Sequence, residues 1–190
     1  FGMLLDRMKS ASIYLEDPLR TLTASVVPEG TFDDLKQPLL VNTVDLERGT
    51  QIVWGLPGLR DVSVRDAVYA SCALPGFFPP GRVDGRTCVD GGVIDNLPAH
   101  IAALGMDMVI AVDVGSADLA RIPDIAEQGF AHIRVLRALE EHGIKPTVYA
   151  GTSIGAMMGA ATVAGLTADD LAARAEALRP RDLFRINHFG

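Results

Sequence analysis

Apolar, β-branched runs separated by turn residues dominate the first half of the chain and predict β-hairpins. The run QPLLVNTVDL at 37–46 is followed by the turn residues Glu47-Arg48-Gly49 and then by the apolar run TQIVWG at 50–55. This succession is typical of two antiparallel strands. A second hairpin is predicted where Asp84-Gly85 separates PGRV from RTCV, because Asp-Gly is favoured in two-residue turns.

The following patterns alternate between helix and strand. Ser63 and Asp66 have the spacing of a capping box and predict a helix over 64–73. The apolar run MVIAVDVG at 108–115 is typical of a buried parallel strand, and the apolar positions in 130–143 predict an amphipathic helix. We therefore predict an α/β fold in three layers, with a largely parallel central sheet and helices on both of its faces.

The stretch AGTSIGAMMGA at 150–160 contains the first candidate for catalysis. A strand-like run, TVYA, precedes Ser153, and an apolar helical run follows it; strand, tight turn and helix form a nucleophile elbow. Gly151 and Gly155 lack Cβ atoms where such a turn brings backbone segments together, and the N–H groups at the helix start favour an oxyanion. The alternative interpretation is a small serine that only caps the helix.

A serine needs a base to act as a nucleophile, and Asp90 is the first candidate. Asp90 follows a predicted strand and precedes Gly91 and Gly92, so its carboxylate can project from a tight turn without steric conflict. Taken alone, Asp-Gly-Gly is also typical of an ordinary turn in which the aspartate bonds to its own backbone.

Together, the stretches LPGFFPP, VDGGVIDNLP, GFAHIRVLRALEEHGI and AGTSIGAMMGA resemble the patatin-like phospholipase family, whose members are serine acyl hydrolases with a Ser-Asp dyad. The resemblance extends from about residue 31 to residue 185. It implies that Ser153 is the nucleophile, that Asp90 is the base, and that the substrate is a phospholipid or another fatty acyl ester. It implies no cofactor and no metal. The remaining site residues that it implies are oxyanion donors at Ile154 and Gly129, motif glycines at Gly91, Gly92, Gly151 and Gly155, and pocket residues Pro75, Phe77 and Phe78.

We predict a single domain over 1–190 that is permuted or incomplete relative to this family. A variable cover at 1–30 precedes a half with the Asp-Gly-Gly motif at 31–120 and a half with the elbow at 129–185. The family has the elbow first, so the inverted order implies a circular permutation, a rearranged chain, or a homodimer that exchanges segments. ARIPDIAEQG also stands where the family has a glycine-rich oxyanion loop, and losing one oxyanion donor costs about a hundred- to a thousandfold in turnover.

The amino-acid composition and the net charge exclude some classes of function. Of 190 residues, 48% are hydrophobic and 22% are charged, which is typical of a globular protein. The formal net charge of -7 offers no basic surface to nucleic acid. Cys72 and Cys88 have no metal-ligand spacing and are predicted to be buried thiols. We expect no signal peptide and no membrane-spanning helix, so a cytoplasmic location is allowed, while the implied substrate favours association with a membrane surface.

Three alternatives compete with the dyad hydrolase. A catalytically silent lipid-binding or interaction domain would keep the apolar pocket and lack the oxyanion loop. An α/β-hydrolase triad would use Asp182 and His188 after Ser153, which is the order of such triads along the chain. The charge-free run at 149–166 approaches the length of a membrane span, although its weak hydrophobicity favours a buried helix.

Overall fold

The computed structural model describes residues 12–113 and 125–187. The described part has a mixed α/β fold in which helices pack on a sheet of five strands. The strands are β1 (Leu39–Asp45), β2 (Thr50–Trp54), β3 (Gly81–Val83), β4 (Arg86–Asp90) and β5 (Tyr149–Gly151). The α-helices are α1 (Glu16–Val26), α2 (Val64–Cys72), α3 (Ala99–Ala102), α4 (Ile125–Glu141), α5 (Ile154–Val163), α6 (Ala168–Ala177) and α7 (Pro180–Leu183), and two 3₁₀ turns span Phe32–Asp34 and Gly91–Val93.

Both predicted hairpins are confirmed. Strands β1 and β2 pair antiparallel with Val41 opposite Trp54, and β3 and β4 pair antiparallel with Val83 opposite Arg86. The turn between β3 and β4 places Asp84 at φ 50 and Gly85 at φ 70. Two successive residues with positive φ are what a type I′ turn requires, which explains the Asp-Gly pair.

The prediction of a largely parallel sheet is wrong. Within the described residues, β1 pairs antiparallel with both β2 and β4, β3 pairs antiparallel with β4, and the β1–β5 pair is parallel. Of the described residues, those in the second half of the chain contribute one short strand, β5, to the sheet, and those in the first half contribute two hairpins. Hairpins are antiparallel by construction, so they set the direction of most of the pairs.

Residues 108–113 account for much of this difference, because the predicted strand at 108–115 does not form over them. Met108 and Ile110 are 72% and 49% exposed, and the last two residues of the predicted strand lie outside the described residues. An apolar run becomes a buried strand only when a neighbouring strand pairs with it and a second layer covers it. Neither is present over 108–113 in the described part of the chain.

Strands β4 and β5 end close to each other on the same edge of β1. Val41 pairs with both Trp54 of β2 and Gly151 of β5, so β2 and β5 lie on opposite edges of β1. Strand β4 lies on the same edge as β5, because Thr43 of β1 pairs with both Ile52 of β2 and Asp90 of β4. The parallel β5 ends beside Val41, and the antiparallel β4 ends beside Thr43. Their carboxyl ends therefore face each other across Asn42.

The main hydrophobic core covers one face of the sheet and draws on both halves of the chain. Helices α1, α2 and α5 contribute to it, and its largest fully buried side chains are Trp54 and Tyr69. Their polar atoms are satisfied: the Trp54 indole donates to Thr43 Oγ1 at 2.8 Å, and the Tyr69 hydroxyl donates to the Pro79 carbonyl at 2.8 Å. On the opposite face, a small cluster of Leu40, Val53 and Ile101 packs beneath α3. Helices thus lie on both faces, but α3 forms a thin second layer.

The predicted cap of α2 is present, and α6 has a cap of its own. Ser63 Oγ accepts the N–H of Asp66 at 3.2 Å at the start of α2. Thr167 and Asp170 form a reciprocal capping box at the start of α6. Pro18 lies in the first turn of α1, where a proline is tolerated because the N–H that it lacks would have no partner within the helix.

The two ends of the described chain lie side by side. Ile13 and Tyr14 pair antiparallel with Arg185–Asn187. The Leu15 N–H donates to the Arg185 carbonyl at 2.9 Å, and the Asn187 N–H donates to the Ile13 carbonyl at 2.8 Å.

Among the described residues, no helix combines the length and the apolar character needed to cross a bilayer.

Candidate active site

Ser153 occupies a sharp turn between β5 and α5. Its backbone has φ 55 and ψ -126, a combination that L-residues adopt only under constraint and at a cost of about 1–3 kcal/mol. The turn is tight because a Cβ on Gly151 would collide with the backbone of Gly155 and Ala156. The predicted strand, turn and helix are therefore present, and position 151 must be glycine because there is no room for a side chain.

Asp90 is the last residue of β4, and its side chain is almost completely buried at 4% exposure. Its Oδ1 accepts the N–H of Gly92 at 2.8 Å, and the Ser153 side chain is within hydrogen-bonding reach of the carboxyl group. Burial raises the pKa of Asp90 to about 6, although the hydrogen bonds from Gly92 and Ser153 lower it. The two residues meet because the ends of β4 and β5 converge on β1.

The altered pKa gives this carboxylate the properties of a general base. A carboxylate of ordinary pKa is a weak base at neutral pH, and a value near 6 matches the proton affinity to the operating pH. Asp90 is mostly ionised at pH 7 and can accept the hydroxyl proton of Ser153. The arrangement is therefore chemically compatible with proton transfer from a serine hydroxyl to a carboxylate.

The two glycines that follow Asp90, in what is called the base turn below, also stand where a side chain would not fit. A Cβ on Gly91 would lie 2.6 Å from both Nδ2 and the carbonyl oxygen of Asn42. A Cβ on Gly92 would lie 2.9 Å from Asn96 Oδ1. Gly155 is less constrained, since a Cβ there would meet His132 Nε2 at 3.4 Å.

The two expected oxyanion donors lie at different places in their helices. Ile154 is the first residue of α5, and N–H groups in the first turn of a helix have no partner within that helix. Gly129, by contrast, does not precede the amphipathic helix as expected. It is the fifth residue of α4, which begins at Ile125, and the N–H of a fifth helical residue reaches the carbonyl of the first. Gly129 therefore lies within the helix, and its role as an oxyanion donor stays a prediction.

A cavity of about 610 Å³ opens beside the Ser-Asp pair, within the size range of small-molecule sites. Both Ser153 and Asp90 line it, and its walls are mostly apolar. The apolar side chains include Phe77, Phe78, Leu136, Met158 and Phe184. Pro75 does not belong to the lining, because it is exposed at the turn before Gly76. Two of the three predicted pocket residues thus face the cavity.

The rival triad finds little support in this geometry. Asp182 lies in α7, where its Oδ2 accepts the Arg179 N–H at 3.3 Å, and it does not line the cavity beside Ser153. His188 lies outside the described residues.

Cys72 and Cys88 are free and buried, and burial raises the pKa of the Cys88 thiol to about 11. The described residues contain no group of three or more His, Cys, Asp or Glu side chains that could hold a metal.

Two buried polar residues, Ser71 and Asn42, form hydrogen bonds at the site, and Asn42 was not predicted to take part in it. The Ser153 N–H donates to Ser71 Oγ at 2.9 Å, and the Ser71 hydroxyl donates to the Asn42 carbonyl at 2.7 Å. The Asn42 side chain donates to Thr152 Oγ1 at 3.1 Å. The sequence feature that could have identified Asn42 is its position inside an apolar strand, because a buried polar residue there must find hydrogen-bond partners.

Comparisons with known proteins find a matching family model and several relatives. A family model described as Patatin-like phospholipase matches residues 3–103 and 126–189. An uncharacterized NTE family protein of Mycobacterium tuberculosis is 33% identical over 117 residues, which is 60% of this chain and 31% of that protein. Patatin-like phospholipase domain-containing protein 6 of Homo sapiens is 38% identical over 96 residues, 49% of this chain and 7% of that protein. Protein 7 of the same description in Mus musculus is 36% identical over 98 residues, 50% of this chain and 7% of that protein. The chain therefore spans less than a third of the length of these relatives.

Proposed function

Because the chain belongs to the patatin-like phospholipase family, we propose that it hydrolyses fatty acyl esters of lipids, with Ser153 as nucleophile and Asp90 as general base. The observation that carries this proposal is the contact between the Ser153 side chain and a buried carboxyl group whose pKa is raised to about 6. The apolar cavity beside the pair suits a fatty acyl chain. Relatives that match this chain include proteins described as patatin-like phospholipase domain-containing.

The proposed reaction has two stages. Ser153 Oγ attacks the ester carbonyl while its proton moves to Asp90, and the tetrahedral oxyanion accepts a hydrogen bond from the Ile154 N–H. When this intermediate collapses, the ester C–O bond breaks and the leaving alcohol takes the proton from Asp90. Water then attacks the acyl-serine and gives its proton to Asp90. Release of the fatty acid returns that proton to Ser153 Oγ.

Covalent labelling tests this proposal. The chain is treated with a fluorophosphonate probe at pH 7.5, and the adduct is located by mass spectrometry in the parent and in three variants. We expect one adduct at Ser153, no adduct in Ser153→Ala, and a labelling rate at least a hundredfold lower in Asp90→Asn. Ser25→Ala is the matched control: Ser25 is an exposed serine that donates to the Leu22 carbonyl in α1, so this variant should label like the parent.

A catalytically silent lipid-binding domain is the second candidate. It is favoured by the position of Gly129 inside α4, which leaves Ile154 as the remaining expected oxyanion donor. A folded parent that binds a fluorescent fatty acid but gains no adduct would support this candidate over the hydrolase. A labelled parent that turns over a p-nitrophenyl acyl ester would exclude it.

The organisation of the chain also remains a proposal. We infer a single domain over 1–190, and the shared main core supports it, because side chains from both 31–120 and 129–185 pack in one cluster. Dimerisation by segment exchange and association with a membrane surface stay predictions. Sedimentation of the purified chain and flotation with phosphatidylcholine vesicles test them separately.

A further inference from the structure

The Ser153 elbow and the Asp90 turn belong to different strands and have no local chain connection. Each lies at the end of a short strand, and the two strand ends stop beside Val41 and Thr43 of β1, on either side of Asn42. A dyad functions only when the hydroxyl and the carboxylate stay aligned. Some group must therefore hold the two segments in register.

The Asn42 carboxamide contacts both segments. Its Nδ2 donates to Thr152 Oγ1 at 3.1 Å, next to the nucleophile, and to the Asp95 carbonyl at 2.8 Å, just beyond the base turn. Its Oδ1 accepts from Gln51 Nε2 at 3.0 Å, which determines which way the amide faces. The side chain is 1% exposed, so each of its polar atoms is satisfied by the protein. The two N–H groups of one amide thus bind one segment each.

The Asn42 main chain contacts both segments as well. Gly91 of the base turn packs directly against the backbone of Asn42. The Asn42 carbonyl accepts from the Ser71 hydroxyl at 2.7 Å, and Ser71 Oγ accepts the N–H of Ser153 at 2.9 Å. Ser71 is completely buried. The strained residue of the elbow is therefore linked to β1 through one hydroxyl group.

We propose that Asn42 and Ser71 are positioning residues that hold the Ser153 elbow and the Asp90 turn in register for proton transfer. Asparagine suits this position because both segments present oxygen acceptors, Thr152 Oγ1 and the Asp95 carbonyl, to the same place. An aspartate would supply no donor and would add a second negative charge near Asp90. Neither Asn42 nor Ser71 lines the cavity, so their role is separate from substrate binding. The kinetic part of this proposal rests on the proposed function.

Steady-state kinetics test that part, with a soluble p-nitrophenyl acyl ester as substrate. Ser71→Ala removes the link to the elbow. Thr152→Val keeps the shape of the side chain but removes the hydroxyl that accepts from Asn42 and donates to the Asp95 carbonyl at 3.1 Å. Misplacing reacting groups by about 1 Å can cost about a hundredfold, so we expect kcat to fall tenfold to a hundredfold in both variants. KM should stay within twofold of the parent in Ser71→Ala, because Ser71 does not line the cavity, whereas Thr152 does. Thr152→Ser keeps the hydroxyl and should retain more of kcat than Thr152→Val.

Repeating the measurement without the base separates positioning from a loss of folded protein. In an Asp90→Asn background there is no carboxylate to align, so Ser71→Ala should lower the remaining rate by less than twofold. An equal loss in both backgrounds, or a loss proportional to the unfolded fraction seen by circular dichroism, would overturn the positioning role.

A second readout does not depend on turnover. The Ser153 hydroxyl lowers the pKa of Asp90, so Ser153→Ala should raise that pKa in a ¹³C carboxyl NMR titration. With Ser71→Ala or Thr152→Val also present, the rise should shrink because the hydroxyl no longer faces the carboxylate consistently. A rise of unchanged size would contradict the proposal. This result is obtained even if the parent takes up no probe, so the failure of the proposed function and the failure of the positioning role are distinguishable.

Discussion

The backbone conformation of Ser153 predicts that replacing it by glycine leaves the protein more stable than replacing it by alanine. Its φ of 55 and ψ of -126 carry a strain of about 1–3 kcal/mol for a residue with a Cβ atom. Ser153→Gly removes the Cβ and with it the strain. Ser153→Ala keeps it. Both variants lose the hydroxyl contact to Asp90, so this contribution cancels when the two are compared.

The expected difference follows from two opposing effects. Glycine relieves about 1–3 kcal/mol of strain, but it loses about 0.5–1 kcal/mol more than alanine in backbone conformational entropy on folding. Ser153→Gly should therefore be more stable than Ser153→Ala by about 1 kcal/mol. For a domain of this size, that difference raises Tm by about 2–4 °C.

Urea unfolding followed by circular dichroism measures the difference directly. A control at an ordinary helical position should have the opposite sign: Ala173 is exposed in α6, and Ala173→Gly should cost about 1 kcal/mol. If Ser153→Gly is no more stable than Ser153→Ala while the control behaves as expected, the elbow is not strained and this reasoning is refuted.

Three further predictions concern the site and its surroundings. Because the pKa of Asp90 is about 6, the rate of fluorophosphonate labelling should rise with pH through about 6 and then level off. For the same reason the free energy of unfolding should decrease as the pH is raised from about 4 to about 6, because over this range the folded state binds a proton that the unfolded state has lost. Asp90→Asn should abolish this decrease. Gly91→Ala should destabilise the chain by about 1–3 kcal/mol in urea unfolding, with Gly155→Ala costing less. Burial raises the pKa of the Cys72 and Cys88 thiols, so iodoacetamide should modify them only after unfolding, and rapid alkylation of the folded chain would contradict this.

Local elements were predictable because their causes lie within a few residues. The Asp84-Gly85 turn needs two residues that tolerate positive φ, and the capping pair Thr167 and Asp170 satisfies N–H groups of its own helix. The strand, serine turn and helix around Ser153 were predictable for the same reason. These features depend on backbone sterics and short-range hydrogen bonds, which a sequence pattern expresses directly.

The direction of the sheet and the placement of Gly129 were not predictable in this way. An apolar run such as 108–113 has the same pattern whether it pairs in a parallel sheet, pairs in an antiparallel sheet or lies unpaired on the surface. Gly129 precedes an amphipathic segment, but α4 begins earlier, at Ile125. Helix ends without a clear cap are weakly specified by local sequence.

The sequence by itself determined the chemical types at the site: a glycine-bounded serine on an elbow and an aspartate before two glycines. Only the tertiary structure decided that they meet, because β4 and β5 end from opposite directions on one edge of β1. It also decided that Asn42 and Ser71 join the two segments and that burial raises the pKa of Asp90. Contacts between distant residues and exclusion of water arise from packing, and neither is encoded in the spacing of residues along the chain.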